Sequence, residues 1–356
     1  MEVLSARFLS AMRERGYEFI VVTAENHPGP SHRECDHGIP IYRLPFGAGL
    51  SDHNLKEVKE TIRRVIEIKR TFNPDIVHLN SIDVSVFFHL LTDTAYPAPS
   101  LFTVHSLPPN QSGTHTLMKK MLSSAAWVTT TSEAMLRAVR NLASEVTARS
   151  SLIYNGLPQP DVQPSPLPFA GPRLLCIGRI VRDKGFDLAM DAFGVVIDRF
   201  PAARLIIAGD GPAMADLDQR AARYRLSGAV EFIGWAPPEE VPELINTATA
   251  VIIPSRWEEP FGLVALEAAQ MGRPVVAARV GGLAEIVEHQ KTGLLFDKED
   301  SAALAKQIIF LLEHKEAATQ MGLAARKRAE DTFSFERFLD AYEDLYQKLV
   351  GSPGAL

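Results

Sequence analysis

Short apolar runs rich in β-branched residues alternate with longer amphipathic stretches along most of the chain. Amphipathic stretches such as Asn54 to Arg70 and Asp187 to Phe200 separate runs that have the character of strands. Continuous apolar strands interleaved with helices are typical of parallel sheets that are covered on both faces. The runs fall into two series, at residues 19–22, 76–79, 101–104, 127–129 and 152–154, and at residues 174–177, 205–208, 230–233, 250–253 and 275–277. The sequence therefore predicts an α/β fold made of two doubly wound, Rossmann-like domains.

A proline-rich segment divides the two series. Five prolines lie between residues 157 and 170 and favour a stiff, extended linker; they are Pro158, Pro160, Pro164, Pro166 and Pro168. We expect an N-terminal domain at 1–156, a C-terminal domain at 171–333, and a final helix at 334–350 that crosses back to the N-terminal domain. Residues 1–16 have a helical pattern, so the N-terminal domain is expected to lack its first strand. Two such domains should bind ligand in the cleft at the carboxyl ends of their strands.

Composition and charge exclude several other classes of protein. The 356 residues are 46% apolar and 22% charged, which suits about two globular domains. A net charge of -6 argues against a general nucleic-acid binder. Cys35 and Cys176 are the only cysteines, which argues against a disulfide framework and favours a reducing, cytoplasmic setting. No apolar run has the roughly 18 to 20 residues that span a bilayer, and the N-terminus does not resemble a signal peptide, so we expect no stable membrane association.

Two carboxylates stand in a strand–loop–helix context between Pro254 and Ala269. Glu259 ends the loop, and Glu267 follows about two helical turns later, so both can face the same cleft. A carboxylate accepts hydrogen bonds from vicinal hydroxyls, such as those of a ribose or a hexose. A structural interpretation is equally open at this point, in which Glu259 interacts with the helix dipole and Glu267 is a solvated surface residue.

Glu259 and Glu267, with Phe-Gly soon after the first, resemble the E-x7-E signature of the GT4 family of retaining glycosyltransferases, which have the GT-B fold. Residues 178–185 resemble the G-R-x-x-x-x-K-G loop of the same family, and residues 208–212 resemble its G-x-G-P turn. Residues 281–287 and 292–295 resemble its sugar-side loop and closing strand. Weaker similarity covers residues 103–105, 131–133 and 155–156. Family members usually open with a strand and a Gly-rich loop, and Met1-Glu2-Val3 aligns with the end of that loop.

The resemblance implies roles for the residues of these motifs. Arg179 and Lys184 would neutralise the diphosphate of a nucleotide-sugar donor, Glu267 would hold its ribose, and Glu259 its sugar. Backbone N–H groups at the start of the helix would contact the sugar hydroxyls or the phosphate; they belong to Phe261, Gly262 and Leu263. Taken alone, Arg179 and Lys184 could be a solvated loop pair, and Gly209 and Gly211 could be turn formers instead of donor contacts.

His105, at the end of a predicted strand in the N-terminal half, corresponds to a histidine that lies near the transferred sugar in the family. A structural role for a lone histidine is the alternative. The resemblance further implies retention of anomeric configuration without a metal or a separate cofactor. A front-face reaction, in which the leaving diphosphate takes the acceptor proton, suits donor-binding carboxylates better than a covalent glycosyl-enzyme.

The sequence thus predicts a transferase that moves a hexose from a UDP-sugar or, less commonly in the family, a GDP-sugar. The acceptor is expected to be a hydroxyl of a glycan, a lipid or a small molecule, and neither acceptor nor oligomeric state can be read from the residues. Three other interpretations remain: a donor-binding remnant without turnover, a nucleotide-sugar epimerase or hydrolase on the same scaffold, and an α/β interaction protein.

Overall fold

The computed structural model describes residues 2–24, 33–36, 38–47, 54–80, 84–107, 114–226 and 228–351. The chain divides into two compact units. The first unit comprises residues 1–131, 135–153 and 339–356, and the second comprises residues 132–134 and 154–338. The predicted linker at 157–170 therefore falls in the second unit, and most of the predicted final helix falls in the first.

The first part of the chain alternates strands and helices as far as residue 152. In chain order these are α1 (Glu2–Glu14), β1 (Val21–Ala24), β2 (Arg33–Asp36), β3 (Ile39–Leu44), α2 (Leu55–Phe72), β4 (Val77–Leu79), α3 (Val84–Asp93), β5 (Ser100–Val104), α4 (Thr114–Ser124), β6 (Trp127–Thr130), α5 (Glu133–Leu142), a 3-10 helix (Ser144–Arg149) and β7 (Ser150–Leu152). The strands form a three-stranded sheet of order β1-β3-β2 and a parallel four-stranded sheet of order β4-β5-β6-β7.

Several details of this part differ from the sequence-based expectation. The strand predicted at 19–22 lies at Val21–Ala24, and the strand predicted at 152–154 lies at Ser150–Leu152. Two strands were missed, because β2 is polar and β3 contains Pro40. They pair antiparallel as a hairpin. The helices predicted at 1–16 and at Asn54 to Arg70 are confirmed.

A buried polar network ties the C-terminal helix to the four-stranded sheet of the first unit. The Nδ1 and Nε2 atoms of His78 lie 2.7 Å from Tyr346 Oη and 2.7 Å from Thr103 Oγ1. Thr103 Oγ1 also lies 2.7 Å from Thr129 Oγ1 and 3.1 Å from Tyr342 Oη. Burial lowers the pKa of His78 to about 3, so the ring is neutral. His78 is thus a structural residue of β4.

The second unit is built on one all-parallel sheet of six strands, which lie side by side in the order 230–234, 204–208, 173–177, 250–253, 275–278 and 293–296. Its strands are apolar and largely buried, as expected for a sheet covered on both faces. Its elements are β8 (Arg173–Ile177), a 3-10 turn (Arg182–Lys184), α6 (Phe186–Arg199), β9 (Arg204–Ala208), α7 (Met214–Arg223), β10 (Val230–Gly234), α8 (Val241–Asn246), β11 (Ala250–Ile253), α9 (Leu263–Gln270), β12 (Val275–Ala278), α10 (Leu283–Ile286), β13 (Gly293–Phe296), α11 (Ser301–Glu313) and α12 (Lys315–Thr332); α13 (Phe335–Val350) ends the described chain. The strands predicted here are confirmed.

Candidate functional site

The loop between β11 and α9 carries the first carboxylate of the E-x7-E pair. The buried strand ends at Ile253, the loop runs through Glu259, and the helix begins at Leu263. Gly262 is the N-cap and has φ 110° and ψ 60°, a left-handed conformation that side chains disfavour. A Cβ at this position would also overlap the side chain of Leu283. Within the described residues, no hydrogen-bond acceptor is found for the backbone N–H groups of Phe261, Gly262 and Leu263. Their predicted contacts with a donor stay predictions.

Glu259 is held by one partner from the turn after β8 and by one from its own loop. Lys184 Nζ lies 2.6 Å from Glu259 Oε1 and forms an ion pair with it. Ser255 Oγ donates a hydrogen bond of 2.9 Å to the same oxygen. Glu259 is 7% exposed and Ser255 is fully buried. A carboxylate so far from water requires a charged or hydrogen-bonding partner, and here it has both.

The loop that follows β8 packs on the turn that follows β9. The backbone N–H of Gly178 donates to Ala208 O at 3.0 Å, and that of Ile180 donates to Asp210 O at 2.8 Å. Gly209 has φ 140°, and a Cβ there would overlap the carbonyl oxygen of Gly178. Gly209 is therefore required by the close approach of two backbones. Gly211 approaches Ile180 O in the same way, so both glycines have the structural role that the sequence left open.

Arg179 and Glu267 lie outside the contact cluster of Lys184, Ser255 and Glu259. Arg179 is exposed in the loop after β8, and it forms no ion pair with any residue that the structure describes. Glu267 is partly buried in the second turn of α9. Their predicted contacts with a diphosphate and a ribose stay predictions.

His105 belongs to the first unit and follows β5. Its Nε2 atom lies 2.8 Å from Asn80 Oδ1, and Asn80 in turn donates to Ser5 Oγ at 2.8 Å. Burial lowers the pKa of His105 to about 4, so its imidazole is neutral at pH 7. A neutral imidazole can accept or donate a hydrogen bond but carries no charge, which limits the chemistry that His105 can supply.

Among the described parts of the chain, no cluster of three or more His, Cys, Asp or Glu side chains is arranged to hold a metal ion. The prediction of metal independence stays a prediction.

No helix of the described ranges is both long enough and apolar enough to cross a membrane.

Two family models match the chain and together account for nearly all of it. The model described as "Glycosyltransferase Family 4" matches residues 1–158, and the model described as "Glycosyl transferases group 1" matches residues 161–328. The chain belongs to the GT4 family of glycosyltransferases.

Known proteins similar to this GT4 glycosyltransferase include a glycogen synthase of Mycobacterium tuberculosis. The two sequences are 27% identical over 95% of this chain and 88% of the relative. A D-inositol 3-phosphate glycosyltransferase of Corynebacterium urealyticum is 36% identical, over 50% of this chain and 43% of the relative.

Solved structures show the same GT-B fold. Sucrose-phosphate synthase from Thermosynechococcus elongatus superposes with a TM-score of 0.83 at 24% identity, covering 97% of this chain and 92% of that one. Anabaena HepE, in complex with UDP and glucose, superposes with a TM-score of 0.81 at 21% identity, covering 98% and 95%. The predicted GT-B architecture is thereby confirmed.

Sequence reasoning missed one further carboxylate of this glycosyltransferase. Glu285 accepts hydrogen bonds from the backbone N–H groups of Glu133 and Ala134, each at 2.8 Å, and from Tyr154 Oη at 3.1 Å. Residues 281–287 and 131–133 had been noted as separate motifs, and the spacing of the residues gave no signal that they touch. Glu285 is thus occupied by three donors of the protein and is a structural residue here.

Proposed function

We propose that this glycosyltransferase moves a hexose from a nucleoside-diphosphate sugar to a hydroxyl of a glycan, a lipid or a small molecule, with a UDP-sugar preferred over a GDP-sugar. We further propose that it retains the anomeric configuration, requires no metal, and acts in the cytoplasm. The observation that carries the proposal is the contact of Lys184 with Glu259 beside the start of α9.

The charges around this contact suit a donor that has an anionic leaving group and a neutral sugar. Lys184 has three N–H donors, and Glu259 occupies one of them. The remaining donors of Lys184, the guanidinium of Arg179 and the N–H groups at the start of α9 have no acceptor among the residues that the structure describes. All of these groups can stabilise a leaving diphosphate. Stabilising the charge that develops on the leaving group is usually the largest catalytic contribution in such transfers.

The bond changes of a front-face transfer need no protein nucleophile. The acceptor oxygen forms a bond to the anomeric carbon on the side from which the diphosphate leaves, and the acceptor proton passes to the leaving diphosphate oxygen. Glu259 would bind the sugar during this step and form no covalent bond to it. The neutral imidazole of His105 would act as a hydrogen-bonding group at the sugar.

Thermal unfolding in the presence of nucleotides tests donor binding directly. A ligand at about 100 times its dissociation constant stabilises the folded state by roughly 2.7 kcal/mol, which raises the unfolding midpoint by several degrees. We expect UDP and UDP-sugars to raise the midpoint most, and Arg179→Ala and Glu267→Ala to reduce the rise. Arg223→Ala, which removes an exposed arginine of α7, is the matched control and should leave the rise unchanged. No rise with any UDP, GDP or ADP compound would refute a nucleotide-sugar donor.

The stereochemistry of the first product separates the proposal from its rivals. Proton NMR of the transfer product should show the anomeric configuration of the donor. A product of inverted configuration would contradict the front-face transfer. Release of free sugar or an epimerised donor, without transfer to any acceptor, would favour a hydrolase or an epimerase.

A further inference from the structure

Both protein contacts of the Glu259 side chain converge on one of its two oxygens. Lys184 Nζ lies 2.6 Å from Oε1, and Ser255 Oγ lies 2.9 Å from the same atom. One contact comes from the turn after β8, and the other comes from the loop after β11. An oxygen that already accepts from an ammonium and a hydroxyl has little capacity left for a ligand.

The other oxygen, Oε2, has no partner among the residues that the structure describes. Some described side-chain atoms are both shielded from solvent and without a hydrogen-bond partner, and Oε2 is not one of them. The small exposed fraction of the Glu259 side chain, 9%, is therefore consistent with an opening at Oε2. Glu259 can offer a ligand one oxygen only.

The hydroxyl of Ser255 has a single proton, and three acceptors lie around it. Asp183 O is 3.2 Å away and Trp257 O is 3.4 Å away, both longer than the 2.9 Å to Glu259 Oε1. A hydrogen bond to a carboxylate is charge-assisted and stronger than one to a carbonyl. The proton therefore lies on the contact with Glu259.

We infer that Ser255 is a positioning residue, which together with Lys184 fixes Oε1 of Glu259 so that Oε2 is the oxygen that accepts from the donor sugar. This inference rests on the proposed function, because it requires a sugar at Glu259. It narrows the recognition expected from the sequence, since a carboxylate with both oxygens free can accept from sugar hydroxyls on each, whereas Glu259 offers the sugar only the lone pairs of Oε2.

Binding measurements with deoxy donors test the inference. Titration calorimetry would compare the wild-type protein with Ser255→Ala, using UDP, UDP-glucose and the monodeoxy analogues of UDP-glucose, with GDP and GDP-mannose in parallel. We expect Ser255→Ala to weaken binding of the full nucleotide sugar by about 10-fold or more, as for loss of a hydrogen bond to a charged group. Binding of the nucleotide alone should change by less than about 2-fold.

The decisive readout is which deoxy analogue removes the difference between the two proteins. At least one monodeoxy analogue should bind about equally well to the wild type and to Ser255→Ala, because it lacks a hydroxyl from which Oε2 accepts, whereas analogues that lack a hydroxyl elsewhere on the sugar should keep the difference. Ser255→Cys, whose thiol is a weak donor, should lie between the two. Ser150→Ala, which removes a buried hydroxyl of the first unit, is the control and should bind all ligands as the wild type does.

Outcomes that overturn the role of Ser255 differ from those that overturn the proposed function. Equal weakening of nucleotide and nucleotide sugar would show that Ser255 only supports the loop, and would overturn the inference. A difference that persists with every deoxy analogue would show that Ser255 does not act through a sugar hydroxyl at Glu259, and would also overturn the inference. A wild-type protein that binds neither nucleotide nor nucleotide sugar would overturn the proposed function itself.

Discussion

Glu259 and Lys184 form the most deeply buried opposite-charge contact of the candidate site. Their side chains are 9% and 29% exposed. In such surroundings, breaking a pair by removing one partner is expensive, since the other charge is left without compensation. The pair therefore links stability to donor recognition, because the ammonium that would face the diphosphate also neutralises the carboxylate that would face the sugar.

Lys184→Met should lower the free energy of unfolding by about 3 kcal/mol, since Glu259 keeps only the hydroxyl of Ser255 as a partner. The double variant Lys184→Met/Glu259→Gln should recover most of this loss, because no uncompensated charge remains. Denaturant titration would measure both. Donor binding should stay weak in both variants, and a double variant no more stable than the single one would contradict this account.

Residue types and spacing predicted part of the site but not all of it. Glu259, Glu267, Arg179 and Lys184 could be selected from the sequence because a known family places charged residues at these intervals. Ser255 could not, because serine is common in loops, and its contact with Glu259 depends on how the loop folds back. The contact between Lys184 and Glu259 joins residues 75 positions apart.

Two loops of the second unit approach each other so closely that a residue with a Cβ atom does not fit at their contact. Gly209 lies against the carbonyl oxygen of Gly178 in a conformation with φ 140°. Gly194, in the middle of α6, has no neighbouring atom within 4 Å of the place where a Cβ would lie. Replacement by alanine is therefore expected to have opposite effects on stability at the two glycines.

Gly209→Ala should destabilise the protein by about 2 kcal/mol or more, because it combines a disfavoured backbone conformation with overlap. Gly194→Ala should stabilise it by about 0.5 to 1 kcal/mol, as alanine is the better helix former. Thermal unfolding of the two variants side by side measures both. A destabilising Gly194→Ala, or a neutral Gly209→Ala, would show that the described backbone is wrong at that position.

The elements of the second unit were predicted well because each buried strand is an uninterrupted apolar run. The first part of the chain was harder to predict. In β2 the residues Arg33-Glu34-Cys35-Asp36 carry no apolar alternation, so only pairing with β3 makes them a strand. The strands of this part form two separate sheets, β1-β3-β2 and β4-β5-β6-β7. No local sequence pattern indicates this division, because the pairing of strands depends on the tertiary fold.

At the scale of the whole molecule, the described histidines whose pKa is lowered most, which are buried or half-buried, lie in the first unit. Burial lowers the pKa of His78 and of His89 to about 3 and that of His105 to about 4. In the unfolded chain these rings titrate near 6.5. Between about pH 6.5 and these lower pKa values, the unfolded state therefore binds more protons than the folded state. The contribution of the neutral rings to the free energy of unfolding is complete above about pH 6.5 and decreases as the pH falls.

Acidification should unfold the first unit before the second. Each of the three histidines should lower the free energy of unfolding by about 1.4 kcal/mol per pH unit between about pH 6 and pH 4. Trp127 reports on the first unit and Trp257 on the second, so single-tryptophan variants can follow the two units by fluorescence. The Trp127 signal should change at the higher pH.

His89→Gln supplies the control for this acid sensitivity, because it removes one of the three buried rings from α3. Its free energy of unfolding should depend less steeply on pH than that of the wild type, whatever its stability at neutral pH. An unchanged slope, or simultaneous changes of both tryptophan signals, would contradict the assignment of acid sensitivity to these histidines.

The six-stranded sheet also determines how the second unit must be made by the ribosome. Every neighbouring pair in it is parallel, so no two adjacent strands can close as a hairpin, and each pairing waits for a crossover. The central strand β8 lies between β9 and β11, which are separated along the chain by β10. A nascent chain that has emerged only as far as α8 thus leaves the backbone N–H and C=O groups along one edge of β8 unpaired until Ala250–Ile253 follows. We expect the chain to be most prone to aggregate during this interval of its synthesis.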